Sequence, residues 1–329
     1  MSTLTGKNVI HVVLAADVNY AMPLTVAICS VAINCDKKRG LLFHLIQNGI
    51  GQELRSKVES SLELTEFPEV RVNWIDAPLE RVADFHIAHP WITSMAYARL
   101  LIPELLPADA EKAIYLDCDI VVNEDIGELW DMNLGEKSLF AVRDEIDTVS
   151  HPRKGLKNYR ELGIPADAHL FNSGVLLMNL NKWRECGTAG QLLSYLRTNR
   201  AIIHMGDQEA LNAVLWDDWG ELDYRWNWQI PWRGYRLGRA KKSWLPETTR
   251  KSIIHFTTGE KPWLPGCDYE EGKYFFKYLD RTEWAGWRVP LLKEFFGRLL
   301  RAIHDARDTL GILRREFKVN FKRQQKMLP

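Results

Sequence analysis

The sequence has little cysteine, no excess charge of either sign and no long apolar run. Its five cysteines, Cys29, Cys35, Cys118, Cys186 and Cys267, are odd in number, and no two stand in CxxC spacing. That excludes a disulfide scaffold and argues against a zinc site built on thiolates. No stretch approaches the roughly 20 apolar residues of a membrane span. The opening MSTLTGKNVIHVVLAAD does not read as a secretory leader, because Lys7 and a short apolar run are followed by Asp17 and Asn19 with no cleavage signature. The expected setting is therefore cytoplasmic and reducing. With 43 Lys and Arg against 43 Asp and Glu, the formal net charge is zero, which argues against a nucleic-acid partner. Repeats and low-complexity segments are also lacking. A composition of 46% hydrophobic and 26% charged residues over 329 positions is that of a globular protein with a sizeable core.

Strand-like and helix-like segments alternate in the first half. Residues 9–14 form a β-rich run closing on Ala15, Ala16 and Asp17, and residues 22–34 follow as a helix. A second strand at 41–46 precedes a helix at 52–64, in which Leu54, Val58 and Leu62 lie one turn apart. Residues 70–75 alternate as a third strand. This order predicts an α/β fold with one Rossmann-like, mostly parallel sheet flanked by helices, and a ligand site at the carboxyl ends of its strands. Further strands are expected at 112–116, 138–142 and 174–178, and helices at 181–198 and 207–215. Residues 216–244 contain six tryptophans and little periodicity. They read as irregular, either core or an aromatic platform for a sugar ring.

The zero net charge conceals an asymmetry. Residues 288–329 contain 11 Lys and Arg against 4 Asp and Glu, which leaves residues 1–287 about as acidic as this tail is basic. Leu292, Phe296, Leu299 and Ile303 recur at helical spacing within it. Two units are expected: a catalytic body, 1–287, and a basic amphipathic helical tail, 288–329. The tail is expected to dock on an anionic membrane surface. The alternative is a helix packed on the body with its charged face in solvent.

Four segments carry chemistry. In Ala113-Ile114-Tyr115-Leu116-Asp117-Cys118-Asp119-Ile120-Val121-Val122, two carboxylates two residues apart close an apolar strand. In extended chain they project to one side. Their apolar surroundings make paired negative charge costly unless a cation such as Mg²⁺ or Mn²⁺ neutralises it. A solvated strand end is the plain alternative. Phe171-Asn172-Ser173-Gly174 reads as a small polar turn entering a buried strand. His204-Met205-Gly206-Asp207-Gln208-Glu209-Ala210-Leu211-Asn212 reads as a helix start with Asp207 as N-cap. Ile253-Ile254-His255 places a histidine at a strand end, where it either completes an oxygen-rich metal site or sits satisfied in the interior. Lys261 follows across a Gly turn, within reach of a phosphate.

Taken in this order, the segments resemble glycosyltransferase family 8, over roughly residues 8–265. The resemblance implies a GT-A fold and a retaining transferase that uses a nucleotide-sugar and a divalent metal, Mn²⁺ or Mg²⁺. It implies that Asp117, Asp119 and His255 bind the metal, and that Asp17 and Asn19, with Ala15 beside them, hold the uridine. Ile92 opens, and Arg99 nearly closes, the segment that meets the donor sugar. Cys118, Asn172 and Ser173 line the donor, Asp207 and Gln208 stand at the reacting centre, and Gly259 and Lys261 meet the diphosphate. The expected partners are a UDP-hexose (galactose or glucose) and a saccharide acceptor, such as lipid-linked lipo-oligosaccharide. The chain departs from the family pattern at Thr258, where a Gly is common, and at Ala96, where relatives carry a hydroxyl. Two other readings stay open on sequence. The Leu116–Val121 stretch also fits the nucleophile motif of a haloacid-dehalogenase-like phosphatase, which would need an acidic pair such as Asp217-Asp218. A non-catalytic UDP-sugar- or carbohydrate-binding relative is the other.

Overall fold

The computed structural model describes residues 9–85, 93–152, 154–230, 250–303 and 306. Among the described residues, ten strands form two sheets. The larger has seven strands in the order β3-β2-β1-β4-β7-β6-β8. These are β1 (Val9–Asp17), β2 (Gly40–Asn48), β3 (Val70–Asp76), β4 (Lys112–Leu116), β6 (Leu139–Thr148), β7 (His169–Asn179) and β8 (Trp219–Glu221). β1 runs parallel to both β2 and β4, whereas β7 is antiparallel to both of its neighbours. The smaller sheet joins β5 (Ile120–Val122), β10 (Ile253–His255) and β9 (Trp228–Gln229), in that order.

Alternation along β1 divides the core. Ile10, Val12 and Leu14 face one side, where they pack with buried residues of α1 (Ala21–Asn34) and α2 (Gln52–Glu63). Val13 faces the other side, with Ala113 and Tyr115 of β4 and with residues of α3 (Ile102–Leu105), α5 (Leu180–Glu185), α6 (Thr188–Thr198) and α7 (Asp207–Val214), whereas the short α4 (Gly127–Trp130) packs on the first side. This is the period-2 signature of a sheet covered on both faces. α1 is buried almost throughout and ties the two sheets together. Ser30 Oγ accepts from Val122 N at 2.9 Å, and Asn34 Nδ2 donates to Val122 O at 2.9 Å. The chain crosses from β2 and β3 on one side of β1 to β4 on the other. The strand order therefore reverses at the carboxyl ends of β1 and β4, where a ligand crevice is expected.

Several expectations are corrected. Asp117, Cys118 and Asp119 lie in the turn between β4 and β5, not in extended strand, so convergence of the carboxylates comes from the turn. Asn172 and Ser173 are inside β7, not in a turn before it. The helix expected at 181–198 is two helices, parted at Gly187, whose positive φ of 61° forms the break. Gly206, not Asp207, caps α7. In the tryptophan-rich stretch, Trp226 is fully buried, Trp216 and Trp219 pack on the core, and Trp232 and Trp244 lie outside the described residues. Among the described residues, no helix is long and apolar enough to cross a membrane. All five cysteines are free.

Candidate active site

Three strands converge on the turn at Asp117–Asp119. Asp117 N donates to Gly174 O of β7 at 2.8 Å, Phe256 N beyond β10 donates to Asp119 O at 2.9 Å, and the Cys118 thiol reaches Ala15 O of β1 at 3.3 Å. Burial pushes the Cys118 thiol well up, so it remains a donor to Ala15. Asp117, Asp119 and His255 thereby bring one ligand atom each within 4.8 Å of one another. His255 Nε2 lies 3.2 Å from Asp119 Oδ1 and 3.6 Å from Asp117 Oδ2. Its Nδ1 is 3.0 Å from Asn227 Oδ1, which assigns the proton to Nδ1 and turns the Nε2 lone pair toward the carboxylates.

This donor set fits a divalent cation. Two carboxylates and one imidazole suit Mn²⁺ well and Mg²⁺ less well, since Mg²⁺ prefers oxygen alone. A second observation agrees. A Cβ built on Gly174 would lie 2.1 Å from His255 Cε1 and 2.8 Å from Asp117 Oδ2, so only glycine lets the backbone floor the cluster. Burial opposes charge on Asp119, but the Lys261 ammonium outweighs it and holds the carboxyl below its ordinary range. Lys261 is buried, with its ammonium on Asp119 and on the Phe256 carbonyl.

Arg99 organises the other wall. It lies in the 3₁₀ segment Ser94–Leu101, buried, with its guanidinium 4.5 Å from the Tyr115 ring. Its Nη2 is 2.8 Å from Asp117 Oδ1, its Nε is 3.0 Å from Asp207 Oδ2, and its Nη1 donates to Ser173 O at 2.7 Å. Tyr115 OH also donates to Asp117 Oδ1, at 2.8 Å. Burial pushes the Asp207 carboxyl up to about 6, against the lowering pull of Arg99. Arg99 thus joins the Asp117, Asp119 and His255 cluster to the start of α7.

α7 is locked to β7 by Asn212, which accepts from Phe171 N at 2.8 Å and donates to Phe171 O at 2.9 Å. Glu209, fully buried, accepts from the backbone N–H groups of His204 and Met205 and fixes the turn before Gly206. Asp207 and Gln208 therefore face Asn172 and Ser173. Gln208 Oε1 accepts from Ser173 N at 3.1 Å, and Gln208 Nε2 donates to Asp144 Oδ2 at 3.0 Å.

Two residues of this network have no motif in the sequence. Asp144, buried on β6, also accepts from Asn172 Nδ2 at 3.1 Å and from Ile146 N at 2.7 Å. Asn227, within the tryptophan-rich stretch, donates to Asn172 Oδ1 at 2.8 Å as well as holding His255. Neither position is marked by spacing or by an apolar flank; only the fold brings them in. At the end of β1, Asp17 Oδ1 accepts from Asn19 N at 2.9 Å, so Asp17 shapes the turn beside Cys118. Gly259 lies in the turn between His255 and Lys261, where Thr258 Oγ1 accepts from Glu260 N at 3.2 Å. Ile92 lies outside the described residues. The pair Asp217-Asp218 sits at the far end of the sheet, where Asp218 holds Lys182 at 2.7 Å and Ser138 at 2.6 Å. A phosphatase site built on Asp117 therefore lacks that pair.

General stress protein A of Bacillus subtilis is 30% identical over 289 residues, covering 84% of this chain and 95% of that protein. Lipopolysaccharide 1,2-glucosyltransferase of Escherichia coli is 23% identical, covering 86% and 81%. The crystal structure of galactosyltransferase LgtC in complex with donor and acceptor sugar analogues superposes with a TM-score of 0.71 at 25% identity, covering 88% of this chain and all of that one. Residues 11–267 match the family described as Glycosyl transferase family 8, and the chain is a glycosyltransferase belonging to that family.

Proposed function

We propose that the protein transfers a hexose, galactose or glucose, from a UDP-hexose to a hydroxyl of a saccharide acceptor, with retention of configuration. The observation that carries this reading is the convergence of Asp117, Asp119 and His255 with Lys261 at the strand-order reversal, beside Asp207 and Gln208. The leaving group is a diphosphate, so the site must stabilise negative charge developing on oxygen. Asp117, Asp119 and His255 would hold Mn²⁺ or Mg²⁺, which supplies a Lewis acid for the diphosphate. Lys261 adds a fixed positive charge on the same side, with Gly259 in the adjoining turn. Asp17 and Asn19, with the Ala15 backbone, hold the uridine, and Cys118 presents the turn to it. Arg99, Asn172, Ser173 and Asp207 hold the hexose hydroxyls.

Gln208 lies where the β face of the sugar would be covered. Its amide oxygen already accepts from Ser173 N, and an amide is a poor nucleophile toward an anomeric carbon. This supports front-face attack. The acceptor oxygen bonds to C1 as the bond from C1 to the phosphate oxygen breaks, through an oxocarbenium-like state, and the acceptor proton leaves with the diphosphate. Asp119→Asn should abolish metal-dependent UDP-hexose turnover while leaving the circular dichroism unchanged; full activity in that variant would overturn the assignment.

The acceptor is proposed to be lipid-linked, as the name of the E. coli relative suggests for that protein. The excess of Lys and Arg in residues 288–329 supports peripheral contact with the inner face of an anionic cytoplasmic membrane.

A further inference from the structure

Residues 291–303 form a helix that lies beyond the family match, which ends at 267. Its orientation on the body is the reverse of an ordinary amphipathic helix. Within residues 291–301, the positions with reduced exposure are 294, 297 and 301, which share one face. Glu294 Oε2 accepts from Gly266 N at 2.9 Å, and Arg301 Nη1 lies 2.9 Å from Glu260 Oε2. Gly297 sits directly on the backbone of 265–266: a Cβ there would be 2.7 Å from the Pro265 carbonyl carbon. The helix is thus clamped by a narrow polar and glycine face to the loop that carries Lys261.

The opposite face is apolar and points outward. Of the eleven exposed large hydrophobic residues among the described ones, seven belong to this helix. Leu292 is 68% exposed, Phe295 62%, Phe296 52% and Leu300 67%. A soluble surface rarely leaves so much contiguous apolar area in water. Lys293 and Arg298 border this face on its two sides, and the chain continues beyond it into further Lys and Arg residues up to Lys326.

We infer that the helix 291–303 is an interfacial helix that lays this apolar face into the headgroup–acyl boundary of an anionic bilayer, with the 260–266 loop held directly behind it. The charge pattern selects this occupant: cationic flanks and a cationic continuation complement anionic headgroups and would repel a second copy of the same surface. The inference sharpens the membrane reading above, which alone would be satisfied by the basic segment acting as a counter-charge. It also places the donor site within a loop's length of the bilayer, suited to an acceptor whose sugar projects from a lipid.

The test uses the full chain and sedimentation with vesicles, without donor or acceptor, so its outcome is independent of glycosyl transfer. Wild-type protein should pellet with phosphatidylglycerol–phosphatidylethanolamine vesicles and much less with phosphatidylcholine alone. The double variant Leu292→Glu, Phe296→Glu should reduce the partition coefficient by at least about tenfold, with UDP-hexose hydrolysis in solution unchanged. Leu292→Ala, Phe296→Ala should give a smaller loss of the same sign, which separates the effect from misfolding. Undiminished vesicle binding by both variants, with loss on Arg314→Gln, Arg315→Gln, Lys318→Gln, would leave the membrane reading standing and overturn this one. Failure of the wild type to bind anionic vesicles would overturn both. A wild-type dimer in sedimentation equilibrium, dissociated by the Glu variants, would assign the face to a second copy instead.

Discussion

Replacing Gly174 by alanine should damage the metal cluster without touching a ligand. Gly174 lies inside β7, and its missing side chain is the space that His255 and Asp117 occupy. An added Cβ would stand 2.1 Å from His255 Cε1, 2.7 Å from Nδ1 and 2.8 Å from Asp117 Oδ2. Carbon atoms rest in contact at roughly 3.5 Å, so the imidazole must retreat by about 1.4 Å or β7 must shift. Metal–ligand distances hold within about 0.2 Å, so this displacement breaks the geometry. Nδ1 would also lose its alignment with Asn227 Oδ1. Mn²⁺ affinity should fall by at least about tenfold, a loss of about 1.4 kcal/mol. Overpacking in the strand should cost about 1–3 kcal/mol of folding stability. Mn²⁺ titration followed by electron paramagnetic resonance measures the first, and urea unfolding the second. Gly190→Ala in α6 is the control, because nothing lies within 4 Å of its Cβ position; it should leave Mn²⁺ binding untouched and raise stability by up to about 1 kcal/mol. Wild-type Mn²⁺ affinity in Gly174→Ala would show that the His255 ring has space that the structure denies it, or that His255 does not hold the ion.

Three further outcomes follow from the network. Asn227→Ala removes the group that orients His255 and Asn172 and should weaken Mn²⁺ binding by about 10–100-fold, measured by the same titration. Asp144→Ala strips the shared acceptor from Gln208 Nε2 and Asn172 Nδ2; kcat should drop by about 10–100-fold while Mn²⁺ affinity holds, and an equal loss in both would mark Asp144 as structural only. His44 is fully buried on β2, 3.0 Å from His11, and burial, then His11, push its imidazole down to about 4 from an ordinary 6.5. The folded state therefore binds this proton less readily than the unfolded chain. Stability should be full above pH 6.5 and decline by roughly 3 kcal/mol as pH falls to about 4. His44→Leu should flatten that decline in urea unfolding, and a slope identical to wild type would contradict it.

The parts of this architecture that show in the sequence are those written in local pattern. β4 ends where its apolar run meets Asp117, and α2 follows the spacing of Leu54, Val58 and Leu62. The misread parts depend on distant partners. Asn172 and Ser173 look like a turn because polar residues are unfavourable in a buried strand, yet Asp144, Asn227 and Gln208 satisfy them across the fold. The Asp117–Asp119 carboxylates were legible as a pair, but not the turn that converges them, which is set by hydrogen bonds to β7 and to the end of β10. The tail shows the same limit in another form. Its apolar periodicity is plain, but a sequence does not state which face docks. Here Gly297 decides it, since only a glycine face approaches the 265–266 backbone closely enough.

Hexosyl transfer with retention is tested by UDP release from a panel of UDP-hexoses, with Mn²⁺ supplied and then chelated, and with the anomeric configuration of the product read by nuclear magnetic resonance. Release should require the divalent cation, favour UDP-galactose or UDP-glucose, be lost in Asp119→Asn, and yield the α-linked product of a retained centre. Turnover undiminished by chelation, or a product of inverted configuration, would contradict it.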